Sequence, residues 1–473
     1  MPGRFIQEDF ADKENFVFID EKLVEETSEG IKKKFYTLEK YEKNPVIKTD
    51  RPWESYLSDF DIGYVLDPFY SSILYDTERN IYVCWYQVHS TTGSYICLAE
   101  SEDGINWIKP ELNRVVYRGS SKNNIVRFIE YPALSIDFGS VVPNYLKEID
   151  AKLVCSNRSR FDDRLYFMGI TVGFSKDGIE WNFHFPPLLP YDGDANCLMW
   201  DSMEKCYLIT TRSYQHYNIY KRLKMKPKRH IAISKSRDLI HWTPMTTVLE
   251  PDEEDPEIRE FYKMYILPYG HGYIGFLQIF DVDPSLSKGP LEVQLVFSRD
   301  LFNWYRVGNR KAFIPRGESG WDAGMTLMTS VPVTTGKRLR FWYGGKEGEH
   351  WIASKGGIGT GQIRKDGFIS WGTEREGYII TVPFYISKLS IPEIFLNIKA
   401  LQQGYVQVEI LKDNKPIPGY EKENCIPVSG DHILTPVKFQ NPIRIDGNVR
   451  LKFWLRNAEI FSFKGNFTIS SEK

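Results

Sequence analysis

The chain has 473 residues, a formal net charge of −2, and 42% hydrophobic and 15% aromatic residues. That apolar content excludes a disordered chain, and the near-zero charge excludes the basic field of a nucleic-acid-binding protein. No window approaches the ~18 apolar residues of a spanning helix, and Met1-Pro-Gly-Arg-Phe-Ile6 opens without the apolar core of a leader, so a soluble, cytoplasmic protein without membrane contact is expected.

Residues 1–50 read as a mixed approach segment that packs on the rest of the chain, with one short strand at Phe16–Asp20. From Arg51 onward a pattern recurs: an acidic residue, an apolar strand, an aromatic-Asp turn, then a second apolar strand. Asp67 leads through Tyr75-Asp76 to Ile81–Tyr86, and Asp194 leads through Trp200-Asp201 to Cys206–Thr210. Ser135–Gly139, carrying Asp137, is a less regular copy. Glu260–Tyr269 precedes Tyr273–Leu277, and Trp321-Asp322 precedes Leu339–Tyr343. The basic run Lys221–His230 reads as a solvated loop whose last two residues, Arg229 and His230, enter a strand and can face a pocket.

A short phrase closes each copy: Ser101-Glu-Asp-Gly-Ile-Asn-Trp107, Ser175-Lys-Asp-Gly-Ile-Glu-Trp181, Ser236-Arg-Asp-Leu-Ile-His-Trp242, Ser298-Arg-Asp-Leu-Phe-Asn-Trp304 and Lys365-Asp-Gly-Phe-Ile-Ser-Trp371. The tryptophans recur 74, 61, 62 and 67 residues apart. A repeat of strands at this period predicts small sheets arrayed around an axis, with the Asp-centred turn closing a hairpin and the Trp packing between sheets. Five phrases predict an all-β chain with a five-bladed β-propeller at 51–382. Gly356-Gly-Ile-Gly-Thr-Gly361 reads as a tight turn beside a strand rather than a phosphate loop.

After Trp371 the phrase stops, but β-alternation continues at Ile394–Ile398, Tyr405–Ile410, Val449–Leu455 and Glu459–Phe463, so residues 383–473 are expected to form a C-terminal β-sandwich. Six cysteines without close spacing read as reduced core residues, and eight scattered histidines offer no ligand pair, so neither metal nor cofactor is expected.

Inner-strand starts converge in such an array, which makes Asp67, Asp194, Glu260 and Asp322 candidates for one pocket, with Asp137 behind them. Two carboxyl groups flanking one bond are the requirement for glycoside hydrolysis. Arg212, His216, Trp321 and Tyr343 lie beside these strands and are candidate substrate contacts.

The order of the acids resembles the invertase-type glycoside hydrolases of families 32 and 68, with family 43 as a cousin. Asp67-Pro68 resembles the segment bearing their nucleophile, Gly193-Asp194-Ala195 the segment bearing a transition-state stabiliser, and Arg259-Glu260-Phe261 the segment bearing the general acid. Leu66, Phe69-Tyr70, Gly193 and Phe261-Tyr262 depart from the family's residues. The Asp-Gly-Ile-x-Trp turns and Trp321–Met325 are similar to uncharacterised bacterial family-32-like proteins. The resemblance implies a glycosidase acting on an oligosaccharide or glycoside, a furanoside among them, with Asp67, Asp194 and Glu260 catalytic. A propeller-type glycoside phosphorylase and a non-catalytic carbohydrate-binding propeller are the alternative readings.

Overall fold

The computed structural model describes residues 4–54, 66–90, 93–129, 135–160, 168–184, 186–189, 195–213, 228–283, 288–350, 352 and 354–470. Among them every regular element is a strand or a short 3-10 turn, and the chain is all-β. Among the described residues no helix is long and apolar enough to cross a membrane.

The strands form five hydrogen-bonded sheets among the described residues. The first is built on Leu66–Asp76, Ile81–Ser90 and Gly93–Ser101, and the second on Ser135–Pro143, Leu153–Arg160, Met168–Ser175 and Glu180–Phe183. The third runs Cys197–Asp201, Cys206–Ser213, His230–Ser236, Thr246–Leu249 in order. A twelve-stranded sheet comes next, in which Arg259–Gly270, Gly272–Asp281 and Leu291–Ser298 form one antiparallel group and Met325–Met328, Arg338–Lys346 and Gly356–Arg364 another. A single parallel pair, Leu291 with Met325, joins the two groups. The first strands pack in sequence, Leu66–Asp76 on Ser135–Pro143, that on Cys197–Asp201, and that on Arg259–Gly270; Met325–Met328 and its neighbours return to Leu66–Asp76.

Side chains of one sheet satisfy the exposed backbone edge of the next, as buried polar groups require. Gln87 Oε1 accepts from Phe138 N at 2.7 Å, Leu198 N donates to Ser140 Oγ at 2.6 Å, and Thr210 Oγ1 donates to Met264 O at 2.6 Å.

Four of the repeated phrases fold alike. Oδ1 of Asp103, Asp177, Asp238 and Asp300 accepts the amides two and three residues on, an Asx turn. The next residue takes a positive φ: +72° at Gly104, +80° at Gly178, +67° at Leu239 and +72° at Leu301. Glycine stands where a neighbouring sheet inserts a tryptophan: Trp85 Nε1 donates to Gly178 O at 2.7 Å, and Trp342 Nε1 to Gly104 O at 2.9 Å. In the other two turns the buried leucine fills that place itself. Trp181, Trp242 and Trp304 donate back to the carbonyl three residues earlier rather than bridging sheets.

The fifth phrase differs from expectation. Trp371 lies inside the strand Ile369–Thr381, paired with Ile460 and Lys33 in a ten-stranded sheet, so it is not equivalent to the other four. Arg364 occupies the place of the serine, and the Asp366 carboxylate accepts from Tyr269 and Ser462 hydroxyls, both at 2.6 Å, instead of its own turn's amides. The glycine run Gly356–Gly361 is strand, not turn. Its glycines admit close neighbours: an added Cβ would stand 2.8 Å from Trp321 at Gly359 and 2.7 Å from Leu38 at Gly361.

The ten-stranded sheet centres on two long strands, Ile394–Lys412 and Ile445–Gly465, each merging two expected short ones through register shifts near Ala400 and Tyr405. The N-terminal segment supplies edges to several sheets. Phe5–Ile6 pairs with Leu66–Asp76, Phe10–Ala11 with Arg259–Gly270, Asn15–Val17 with Ile445–Gly465, Lys32–Phe35 with Ile369–Thr381, and Glu39–Lys40 with Gly356–Arg364.

Candidate functional site

The start of each first strand faces the end of the second across its hairpin. The pairs are Asp67 with Gln87, Asp137 with Arg158, Glu260 with Phe280, and Met325 with Lys346. Three of these first strands carry an irregularity beside the candidate acid: between Asp67 and Ser71, between Phe138 and Val141, and between Phe261 and Lys263. A bulge re-aims side chains and gathers at functional rims. Sequence reasoning misses the bulges, and with them Arg158 and Lys346; Gly139 and Pro68 are the only local marks of the irregularities.

For Asp67 and Asp137 the structure describes the backbone, and their side chains, with the whole of Asp194 and His216, lie outside the described residues. Arg212, Glu260, Trp321, Asp322 and Tyr343 fall within them, in two clusters.

Glu260 heads the first. Its Oε2 accepts from Arg229 Nη1 at 2.5 Å, with side chains 13% and 18% exposed. The third and fourth sheets are tied here, since Phe261 N donates to Arg229 O at 3.0 Å. The bulge residue Tyr262 is buried, and the guanidinium carbons of Arg229 and Arg212 lie 5.7 and 5.9 Å from its ring centroid. Arg229 also stands 5.2 Å from the Phe280 centroid. His350 closes the group, its Nε2 3.3 Å from the Tyr262 hydroxyl and its ring 4.9 Å from that of Phe280. One carboxylate, two guanidiniums and an imidazole thus share one aromatic support. Such a set can hold oxygen-rich or anionic groups, and Glu260 can exchange protons with them once it leaves Arg229.

Asp322 heads the second cluster. It is 5% exposed and accepts from Lys40 Nζ at 2.6 Å and from Tyr343 OH at 3.1 Å. Burial, then the Asp322 charge, pushes the Tyr343 hydroxyl well up from its ordinary pKa, so it stays a donor. Tyr343 and Asp322 are enclosed, while Trp321 is half-buried and reaches a cavity of about 670 Å³ lined also by Lys48, Asp50, Arg51 and Lys355.

Asp201, Glu204 and Cys206 bring ligand-type atoms within 4.8 Å of one another. Asp201 Oδ1 there accepts the Met203 and Glu204 amides, and Lys235 Nζ holds Glu204 at 2.7 Å, so the trio serves a hairpin turn.

No family model and no curated protein matches the chain. Among solved structures it is similar to an N-acetylgalactosamine deacetylase from F. plautii (15% identity, TM-score 0.47, 70% of this chain and 96% of that one). A beta-1,2-mannobiose phosphorylase from Listeria innocua gives 12% identity and TM-score 0.47, covering 69% and 96%. A Bombyx mori family-32 beta-fructofuranosidase gives 13% identity and TM-score 0.42, covering 89% and 95%. All three lie below a TM-score of 0.5.

Proposed function

We propose that the chain is an enzyme acting on glycosidic bonds, built as a five-bladed propeller with a C-terminal sandwich. The two antiparallel groups of the twelve-stranded sheet are read as two blades, since one residue pair joins them. In this reading residues 51–382 form the propeller and 383–473 the sandwich, and Ile369–Thr381, the last strand before the boundary, pairs with Ile445–Gly465 beyond it.

The observation that carries the reading is the Glu260–Arg229 pair set against the bulge residue Tyr262 at a first-strand start. In the proposal Glu260 takes up a proton from solvent once substrate draws Arg229 away and passes it to the leaving oxygen, Asp67 attacks or activates water, and Asp194 stabilises the charge that develops on the sugar. Arg212, His216 and Asp137 are assigned to contact the glycoside in this reading. Arg229 holds Glu260 in place before substrate enters and transfers its hydrogen bond to a sugar oxygen afterward.

A second reading, phosphorolysis, is favoured by the cations around Tyr262. The guanidiniums of Arg212 and Arg229 lie over the Tyr262 ring and the His350 imidazole meets its hydroxyl, a set of donors that suits a bound phosphate as the attacking group. The test is turnover of a panel of aryl furanosides and pyranosides with and without inorganic phosphate. Release of aryl alcohol without phosphate supports hydrolysis, and strict dependence on phosphate supports phosphorolysis. Silence across the panel together with no glycan binding would sink both.

A further inference from the structure

Glu260 and the cavity beside Trp321 lie at the same end of the twelve-stranded sheet. The register Glu260, Phe280, Leu291, Met325, Lys346, Gly356 crosses it strand by strand, and Gly356 lines the cavity. Five inter-strand steps of about 4.8 Å give the row a path of ~24 Å, an upper bound on the separation because the two groups are read as separate blades. An oligosaccharide of several units can cover a path of that length.

The cavity, about 670 Å³, has the size of a small-molecule pocket. Its wall joins an aromatic face to cations. The six-membered ring of Trp321 packs against two glycines, where added Cβ atoms would stand 2.4 Å (Gly345) and 2.8 Å (Gly359) from it. The ring is therefore a fixed platform, and sugar rings stack on such faces. Lys48, Arg51 and Lys355 add three exposed cations. The lining carboxylate, Asp50, is already engaged by Lys109 Nζ at 2.7 Å and by Arg51 Nε at 3.6 Å. Among the described residues neither Lys48 nor Lys355 has an ion-pair partner.

We propose that this cavity is a distal subsite for an anionic sugar unit, bearing a carboxylate or a phosphate, of the oligosaccharide handled at Glu260. The inference rests on the glycosidic reading of the Glu260 cluster. Stacking on Trp321 would hold the ring, and the two unpaired ammonium groups would select the charge.

Equilibrium binding to the full chain tests it, read by calorimetry with a galacturonate tetrasaccharide, a neutral galactose tetrasaccharide and glucose 6-phosphate. At least one charged probe should bind more tightly than the neutral one, the uronate pointing to a carboxylate and the sugar phosphate to a phosphate. Exposed Lys48 and Lys355 can be reversed together, Lys48→Glu with Lys355→Glu, without touching the core. That variant should lose about tenfold or more in affinity for the preferred charged probe. Equal binding of charged and neutral probes, or an unchanged affinity in the double variant, overturns the proposal. Reducing-end release is scored separately on both tetrasaccharides. Charge-selective binding without cleavage counts against the glycosidic reading and leaves the subsite standing, whereas cleavage with charge-blind binding does the reverse.

Discussion

Replacing Glu260 by Gln keeps the side-chain volume but removes the charge that holds Arg229 and the proton a leaving oxygen needs. On a glycoside that the native enzyme turns over, Glu260→Gln should lower kcat by about 10²-fold or more, the usual weight of a positioned acid. Circular dichroism should stay native, because the pair is partly solvated and the strand around it is not. Full turnover in this variant would remove Glu260 from the chemistry. Asp20 makes a separate, structural prediction. Burial alone would raise its pKa, but hydrogen bonds and charge from His271 and Arg299 outweigh that and bring it from 3.8 down to about 2. A depressed folded-state pKa adds stability above the unfolded value and loses it as pH falls through the folded one. Asp20 should therefore contribute about 2 kcal/mol above pH ~4, fading toward pH ~2. Urea midpoints of Asp20→Asn against the native chain should differ at pH 7 and converge on acidification; a constant gap across that window would refute the assignment.

At the scale of the element, the repeated turn comes in two forms that are not interchangeable. Gly178 combines a φ of +80° with a space already filled, since an added Cβ would stand 2.5 Å from Trp85. Gly178→Ala should cost about 2 kcal/mol or more in chemical denaturation. Leu239→Gly relieves an equally unusual φ of +67° but empties a fully buried place, so it too should destabilise, by about 2–4 kcal/mol. A neutral result at either position would mean that the turns do not lock neighbouring sheets. The phrase itself is readable because Asp, Gly and Trp each have a local reason to stand there. What is not readable is which carbonyl each indole finds, and that the fifth copy joins another sheet. Arg364 in place of serine is the visible mark of that difference. The bulges beside Asp67, Asp137 and Glu260 are hidden for another reason: a bulge is a mismatch between two strands, and neither strand alone encodes it.

At the scale of the molecule, the all-β class and the order of acids along it are legible from periodicity. The partners of Glu260 are only half so. Arg212 and Arg229 stand out as cations beside strands, whereas His350, which completes the cluster on Tyr262, comes from a distant part of the chain and nothing nearby marks it. The role of the N-terminal segment as a shared edge for several sheets depends on pairings across most of the sequence. Removing residues 1–37 should strip Ile369–Thr381 of Lys32–Phe35 and Ile445–Gly465 of Asn15–Val17. The truncated chain should lose its cooperative thermal transition or fail to remain soluble, because long unpaired edges invite association. A soluble truncation with a native melting curve would show the segment to be dispensable.

That edge-sharing also orders events during synthesis. Asn15 is synthesised far ahead of its partner Lys464. Phe5 waits for Asp76, Phe10 for Tyr269, and Lys33 for Trp371. These strands must therefore stay unpaired while sheet after sheet is completed beside them, and the ten-stranded sheet can close only once Ile445–Gly465 has been made. A chain wired this way folds slowly for its size and leans on whatever shields its first fifty residues in the meantime.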